Sequence, residues 1–351
     1  MSRAADNGVL DPRPALTRAE SSDVALLHTV LDVTQKLASQ TAVSGVARVL
    51  DTRVTGAGAH RIRVDCVQCD VPARRVSVSA DGRGWAIEHV AGGHISVVRN
   101  GAAAASHQGA TDVRCVWWIS DTLVGVAADA LCVYAIDALD GSVRRTELAA
   151  RARVGAVAGR GAAVCAESAG GLRLWHLDAA RGAAVARTVA EGCAVVGLRW
   201  VADGVGLAAT RTGAFWFDVR GARAPLGLPA GLSAATLLSW RWQQAVVAVA
   251  GDSFPPRAGL CLPSATGAAF HCEGRTHART FERGWVWLCG SPAAYAVLSP
   301  ERRQAAVCRM PGGQRLFTLE TAAVIQDGWM EGGACAISTG AMLYLVSFDV
   351  D

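Results

Sequence analysis

The sequence predicts an all-β chain of seven four-stranded antiparallel sheets set around a common axis, preceded by a short helix and a tail. Three observations carry this expectation. A strand-like run ending at an Asp or a Gly-containing turn recurs about every 40 residues. Each copy follows two further alternating runs joined by a tight turn. The last copy runs out of chain after its third strand.

The recurring run starts as HISVVRNG, which ends at Asn100–Gly101, and continues in LCVYAIDALDG with Asp137. It returns in GLRLWHLDAARG with Asp178 and in GAFWFDVRG with Asp218. It weakens in GLCLPSATG, near Pro263, and in QAAVCRMPGG, near Met310, then recovers in MLYLVSFDVD with Asp349. The marks are separated by 37, 41, 40, 45, 47 and 39 residues. Preceding hairpins read RRVSVSADGRGWAIEHV, VVGLRWVADGVGLAAT and LLSWRWQQAVVAVA. Alternating β-branched and aromatic residues, broken by DG or similar dipeptides, are what antiparallel hairpins require. After six of the seven marks a turn leads into another extended stretch, such as SVRRTEL or QRLFTLE, giving four strands per unit.

On these residues the chain resembles the WD-repeat β-propeller family, whose blades have four strands and this repeat length. GLRLWHLD, from Gly171 to Asp178, is similar to the family's third strand, with Trp-His where the signature has Trp-Asp. AFWFDV (Ala214–Val219) and VYAIDA (Val133–Ala138) are looser matches, and VSVSADGRGWAI (Val76–Ile87) is similar to the first two strands and their turn. The resemblance covers about Arg61 to Asp351 and implies a seven-bladed β-propeller. Its blade signature falls on Trp175, Asp178, Asp137, Asp218 and Asp349. The Gly-His dipeptide that usually precedes the first strand is missing from nearly every unit, which removes the family's His–Asp hydrogen-bond network.

A last blade of three strands would leave a row of unpaired backbone groups at the seam. HRIRVDCV (His60–Val67) alternates like a strand and lies just before the first complete unit, so it is expected to supply the missing outer strand. Residues 1–22 are expected to be a flexible tail. Residues 23–40 place Val24, Leu27, Val30, Leu31, Val33 and Leu37 at helical spacing, with Ser22 or Asp23 as N-cap, so they are expected to form an amphipathic helix. Residues 41–351 make up the propeller.

Composition narrows the chemistry. Hydrophobic residues make up 51% and charged residues 18%, which suits a packed chain rather than a disordered one. No apolar run reaches the length of a membrane span, and the N-terminus has no apolar signal-peptide core. Most of the eleven cysteines sit in apolar runs, as buried reduced thiols of a cytoplasmic or nuclear protein would. Lys36 is the only lysine among 34 basic residues; the rest are arginines, a bias that GC-rich coding explains without any function. The net charge of +4 gives no reason to expect nucleic acid.

The motif search finds no nucleophile elbow, phosphate loop or HExxH. VDCVQCD contains one CxxC, Cys66 and Cys69, and the nearest companions by composition are His271, Cys272 and His277. Zinc needs about four ligands, and packing duty is the preferred reading. Trp117, Trp118, Trp240, Trp242, Trp285 and Trp287 fall in strands expected innermost in their blades, where they would pack between blades rather than form a cation cage. The pairs Arg74–Arg75, Arg144–Arg145 and Arg302–Arg303 lie in different blades near turns and read as solvated charges. The expected function is therefore a non-catalytic protein–protein interaction scaffold in a multisubunit intracellular complex, without cofactor, metal or small-molecule substrate. The alternatives are a propeller that reads phospholipid or modified peptide, or an enzyme using the central channel.

Overall fold

A computed structural model describes residues 43–49, 62–90, 93–110, 112–128, 131–148, 154–168, 170–178, 181, 183–202, 204–227, 246–250, 254–264, 266–272, 275–310 and 312–349. The tail expected over 1–22, the helix expected over 23–40, Lys36, Trp240 and Trp242 lie outside the described residues.

Two strands, β1 (Val43–Val49) and β2 (Ile62–Cys69), precede the first blade. Blade 1 comprises β3 (Ala73–Val78), β4 (Gly84–His89), β5 (Ile95–Arg99) and β6 (Ala102–His107). Blade 2 follows with β7 (Cys115–Ser120), β8 (Leu123–Ala128), β9 (Cys132–Asp137) and β10 (Val143–Glu147). Blade 3 has β11 (Val154–Arg160), β12 (Ala163–Ser168), β13 (Gly171–Asp178) and β14 (Ala183–Ala190). In blade 4 the strands are β15 (Val195–Ala202), β16 (Val205–Thr210), β17 (Ala214–Asp218) and β18 (Arg223–Pro225). Blade 5 contains β19 (Val246–Ala250), β20 (Arg257–Pro263), β21 (Gly267–Cys272) and β22 (Arg275–Thr280). Blade 6 runs through β23 (Val286–Gly290), β24 (Ala294–Leu298), β25 (Gln304–Arg309) and β26 (Arg315–Glu320). Blade 7 uses β27 (Asp327–Glu331), β28 (Ala334–Ser338) and β29 (Met342–Phe348).

Each sheet is antiparallel in sequential order, so the chain is a seven-bladed, all-β propeller. Blade 7 is completed from the other end of the chain. β2 pairs with β29, Ile62 opposite Phe348 and Gln68 opposite Met342, and β1 then pairs with β2. The closing sheet therefore has five strands in the order β1-β2-β29-β28-β27. The fifth, VSGVARV, is too short and too glycine-interrupted for its alternation to stand out in the sequence.

The fifth unit departs from the sequence expectation. The repeat spacing places the run at Pro263 in a third strand, whereas β20 is the second strand of its blade and GAAFHC forms the third. From Asp218 at the end of β17 to Cys272 at the end of β21 is 54 residues, and from there to Arg309 only 37. The blade is lengthened ahead of its second strand. Its third strand, rich in small residues, carries no Asp mark, so equal spacing pulled the assignment one strand too early.

Burial follows position along each blade. β4, β24 and β28 are buried at every residue, while the outer strand β22 is exposed throughout. Ala86, Ala127, Ala166, Ala208, Ala296 and Ala336 of the second strands are fully buried. Blades narrow toward the axis, and small side chains let their faces close there at interior packing density. The core is thus a set of layers between blades. Ala86, Ile95 and Val97 of blade 1 meet Trp118, Val124 and Ile136 of blade 2, and Trp117 on the opposite face meets Val164 and Leu177 of blade 3. Successive residues of a strand point to opposite faces, so the Trp117–Trp118 pair fills both flanking interfaces at once.

The indoles also bond across those interfaces. Trp118 Nε1 donates to Ser77 O at 3.2 Å, Trp117 Nε1 to Gly161 O at 3.0 Å, and Trp200 Nε1 to Ala158 O at 3.2 Å. Glycines make room for the rings. A Cβ on Gly125 would meet Trp117 Cζ2 at 2.6 Å, and one on Gly159 would also collide with that ring.

Trp117→Ala should lower the unfolding free energy by about 3–5 kcal/mol, and Gly159→Ala by about 1–3 kcal/mol through overpacking, both measured by urea denaturation. Removing the residues after Gly340 deletes β29, the strand that joins β28 to β2. That truncation should show no cooperative thermal transition.

Candidate functional site: the central channel and its rim

The first strand of each sheet lies nearest the axis. First strands of blades 7, 1, 2, 3, 4 and 5 are neighbours in turn, and blade 5 meets blade 6 through β21 and β23. They enclose a channel of about 1290 Å³. All first strands run in the same direction, which defines two faces. The upper face carries their starts and the links between blades; the lower face carries the first-to-second and third-to-fourth turns.

At the upper end of the channel stand Arg74, Arg75 and Arg114. Arg74 Nη1 lies 3.2 Å from Glu88 Oε1 and Arg75 Nη1 lies 3.5 Å from Glu88 Oε2. Burial raises the Glu88 carboxyl pKa, opposed by the two arginines. Arg75 also donates to the backbone carbonyl of Arg114 in the next blade, and Arg114 pairs with Asp112. Cys115, just below, has its thiol pushed up to about 11 by burial, opposed mainly by a hydrogen bond with the Gly159 backbone.

Toward the lower end, Arg160 of blade 3, Arg199 of blade 4 and Glu331 of blade 7 line the lumen. Blade 7 stands across the ring from blades 3 and 4, so the two guanidiniums act on the Glu331 carboxylate through the field across the channel, while its hydrogen-bond partner is the Val78 backbone of the adjacent blade. Glu331 opens onto channel water yet is ringed by protein. That desolvation raises its pKa, and Arg160, the Val78 backbone and Arg199 oppose the rise. Burial lowers the Arg199 pKa, Glu331 resists, and the like charge of Arg160 adds to the fall.

Three of the blade-signature residues close turns. Asp137 Oδ1 accepts from Leu139 N at 2.7 Å, and Asp178 Oδ1 from Arg181 N at 3.1 Å. Asp218 Oδ1 accepts from Arg220 N at 2.9 Å and Ala222 N at 2.8 Å. Each closes the turn after a third strand by the local bonding that suits Asp to turns. Trp175 is buried with Leu131 and Ala166 between blades 2 and 3, and Asp349 follows β29 at the channel wall.

The CxxC sits on strand β2, where a three-residue offset puts the two thiols on opposite faces. Cys66 packs with Leu316 and Phe317, Cys69 with Trp85 and Ile87. Burial pushes both thiols upward, Cys69 to about 12, so neither is poised as a thiolate. His271 bonds Thr276 Oγ1 at 2.8 Å within blade 5, on a different sheet. Trp285 lies under the Arg315 guanidinium at 5.5 Å, and Trp287 stacks on Tyr295 at 5.4 Å, both packed at the interface of blades 5 and 6.

Of the arginine pairs, Arg74 and Arg75 act together on Glu88, whereas the other two do not act as pairs. Arg302 donates from Nε to Ile325 O at 3.2 Å and from Nη2 to Gln326 O at 3.4 Å, spanning blades 6 and 7, while Arg303 is exposed. Arg145 Nη2 bonds Cys132 Sγ at 2.9 Å within blade 2. Sequence reasoning missed the channel triad altogether. Arg160, Arg199 and Glu331 stand in unremarkable sequence, and only ring closure brings them together.

A second polar cluster lies on the upper face of blade 1. His89 bonds Val71 O at 2.8 Å and Ser96 Oγ at 3.0 Å, and its ring meets His94 edge-on at 5.5 Å. His107 stacks near Tyr134 at 5.2 Å and adds its charge to the field at His94. Burial lowers the pKa of both His89 and His94.

No known family profile matches the chain, and no curated protein matches it in sequence. Similar solved structures include the C-terminal WD40 domain of Sif2, with a TM-score of 0.52 and 11% identity over 80% of this chain and 96% of that one. Raptor from Chaetomium thermophilum has a TM-score of 0.50 and 12% identity, covering 86% of this chain and 29% of its own. BamB from Moraxella catarrhalis gives 0.42 at 14% identity, over 89% of this chain and 99% of that one. At such identities the likeness to the Sif2 domain and to Raptor shows the fold alone, a β-propeller, here of seven blades.

Depressed imidazole values mean that the unfolded chain binds more protons than the folded one. Stability from His89 and His94 is complete above the ordinary value of about 6.5 and is lost as pH falls through it toward their folded values. Among the groups around them, Asp70 opposes the effect at His89 and His107 reinforces it at His94. The melting temperature should drop by about 2–4 °C between pH 7.5 and 5.5, and His94→Asn should reduce that drop.

Proposed function

We propose that the protein is a non-catalytic interaction scaffold, a subunit of a larger intracellular assembly that presents its upper face to protein partners. One observation carries this reading. The upper face sets exposed apolar side chains, Val90, Val196 and Val324, on the same side as the half-exposed arginines Arg74 and Arg114 at the channel mouth. Apolar anchors beside guanidiniums are the composition that protein interfaces favour. The fold is compatible with this role, and among its neighbours the Sif2 domain carries the WD40 name.

The lower face and rim carry a different chemistry. Leu139 and Val219 project from third-to-fourth turns, and outer strands such as β22 and β10 expose Arg275, Arg279 and Arg144 along their edges. Charged edges of this kind discourage strand addition, which leaves the loop faces for docking, and the upper face adds the channel-mouth arginines to its apolar side chains.

The endogenous chain, fractionated by size from gently lysed cells, should elute well above its own 36.4 kDa. Val196→Asp combined with Arg114→Asp should return it to the monomer position without changing its melting temperature. Elution of the unmodified chain at its own mass would contradict the scaffold reading.

A further inference from the structure

The outer strand of a blade has no partner on its far side within the ring, and such an edge is a template for pairing unless it is protected. Most outer strands here are protected. β10 (VRRTE), β22 (RTHART) and β26 (RLFTLE) carry charges, and β18 is three residues long and ends in Pro225. β6 is broken by a bulge at Ala104, and β1 by one beside Gly45. β14 differs from all of these. It is eight residues long, AAVARTVA, and pairs with β13 without interruption from Ala183 to Thr188. Its single charged residue, Arg187, is bonded to Arg220 O of blade 4. Val185 stands 76% exposed, the highest value of any large apolar side chain among the described residues. The free edge can be read off the register. Leu177 N donates to Ala162 O, toward β12, so by alternation along the strand His176 and Leu174 bond toward β14. Val185 and Arg187, opposite His176 and Leu174, therefore turn their backbone groups inward, while Ala184, Ala186 and Thr188 turn theirs outward. No described backbone group bonds along that outer edge.

We infer that β14 is the contact surface for β14 of a second copy of this chain, paired antiparallel about a two-fold axis at Val185, so that the two blade-3 sheets join into one. The register decides the occupant. With Val185 opposite the copy's Val185, Ala184 meets Ala186 and Arg187 meets Ala183, so no charge faces its own copy. The outward N–H and C=O groups of Ala184 and Ala186 exchange hydrogen bonds across the axis. The two valines take the non-hydrogen-bonded position, where side chains approach most closely. A strand of another protein would need the same small, nearly uncharged sequence to follow this edge, and a second copy supplies it. The rim of the ring is convex, so blades 2 and 4 recede from the axis and leave the contact to blade 3. An edge of this length engages far fewer than the about 20–30 residues a side of a standard interface. The dimer is therefore weak, with a Kd of about 10–100 μM, and a diluted lysate holds the chain as separate copies. Antiparallel pairing turns one ring over relative to the other. The two upper faces then point in opposite directions, and the use of the dimer rests on the scaffold reading: it holds two docking faces back to back.

The test is sedimentation equilibrium of the purified full-length chain over a concentration series that extends above that Kd. The mass should rise from 36.4 kDa toward twice that value. Ala186→Pro removes an N–H that the blade does not use, and Val185→Asp sets two carboxylates face to face. Each should weaken association by about tenfold or more with the melting temperature unchanged; if Ala186→Pro melts lower, the Val185 variants decide. Val185→Cys should form a disulfide-linked dimer in air under native conditions, because Cα atoms about 4.5 Å apart lie within the span of a disulfide. Arg187→Cys, opposite Ala183, should not. A chain at monomer mass throughout the series would overturn the proposal, as would association that survives both Ala186→Pro and Val185→Asp. Association lost in those variants without cross-linking of Val185→Cys would overturn the two-fold pairing at Val185. Val196→Asp with Arg114→Asp alters only the upper face and should leave the dimer intact, so failure of this edge and failure of the scaffold reading are read separately.

Discussion

Among the described residues the backbone hydrogen bonds stay within blades except for Ile325 N to Arg302 O between blades 6 and 7, so side chains must do most of the joining of each sheet to the next. In this chain apolar layers fill the gaps, and side-chain donors that cross them end on the neighbour's backbone carbonyls. Near the axis, Trp118 reaches Ser77, Trp117 reaches Gly161, Trp200 reaches Ala158 and Ser291 Oγ reaches Gly332 O at 2.9 Å. Farther out, Arg99 bonds Asp121 O, Arg187 bonds Arg220 O, Arg279 bonds Gly312 O, Arg302 bonds Ile325 O and Ser347 bonds Gly82 O. These carbonyls lie in turns or on the free inner edges, where no sheet partner exists. The bonds near the axis satisfy buried or half-buried carbonyls, at about 0.5–1.5 kcal/mol apiece, whereas those of Arg99, Arg187 and Arg279 are exposed and contribute less.

That lacing gives the composition a physical use. An Arg offers five donors in a rigid fork and can hold two carbonyls of one turn, as Arg279 holds Gly312 and Gly313; a lysine offers a flexible point charge. Gly313, at φ +67, keeps the turn open for that guanidinium, since a Cβ there would collide with it. Alanines in the second strands let the blades approach closely enough for the donors to reach. The described thiols of β2 fill the same interfaces, with Cys66 and Cys69 on opposite sides of one strand.

How much of this was readable in the sequence depended on the range of each signal. The Asp-closed turns at Asp137, Asp178 and Asp218 are local chemistry, and their spacing gave the blade count and most strand assignments. Where the local mark was absent, between Asp218 and Met310, equal spacing misplaced the third strand, and β1 was too weak a pattern to register. The Trp117–Trp118 pair was legible as interface packing because its alternation is a property of one strand. The Arg-to-carbonyl bonds and the Arg160–Arg199–Glu331 crossing were not legible. Their partners lie one to four blades away, and nothing in a linear pattern distinguishes an arginine that will meet a carbonyl from one that will face water.

The same constraint shapes function. A scaffold must keep its loop faces fixed relative to one another, and joints made of directional bonds fix blade angles more sharply than apolar contact alone. The direct test of the lacing is the urea unfolding free energy of Trp117→Phe, which keeps an aromatic ring in the interface and removes the N–H that bonds Gly161 O. The lacing account predicts a loss of about 1–2 kcal/mol with an unchanged m-value and a single transition. A variant as stable as the unmodified chain would contradict it.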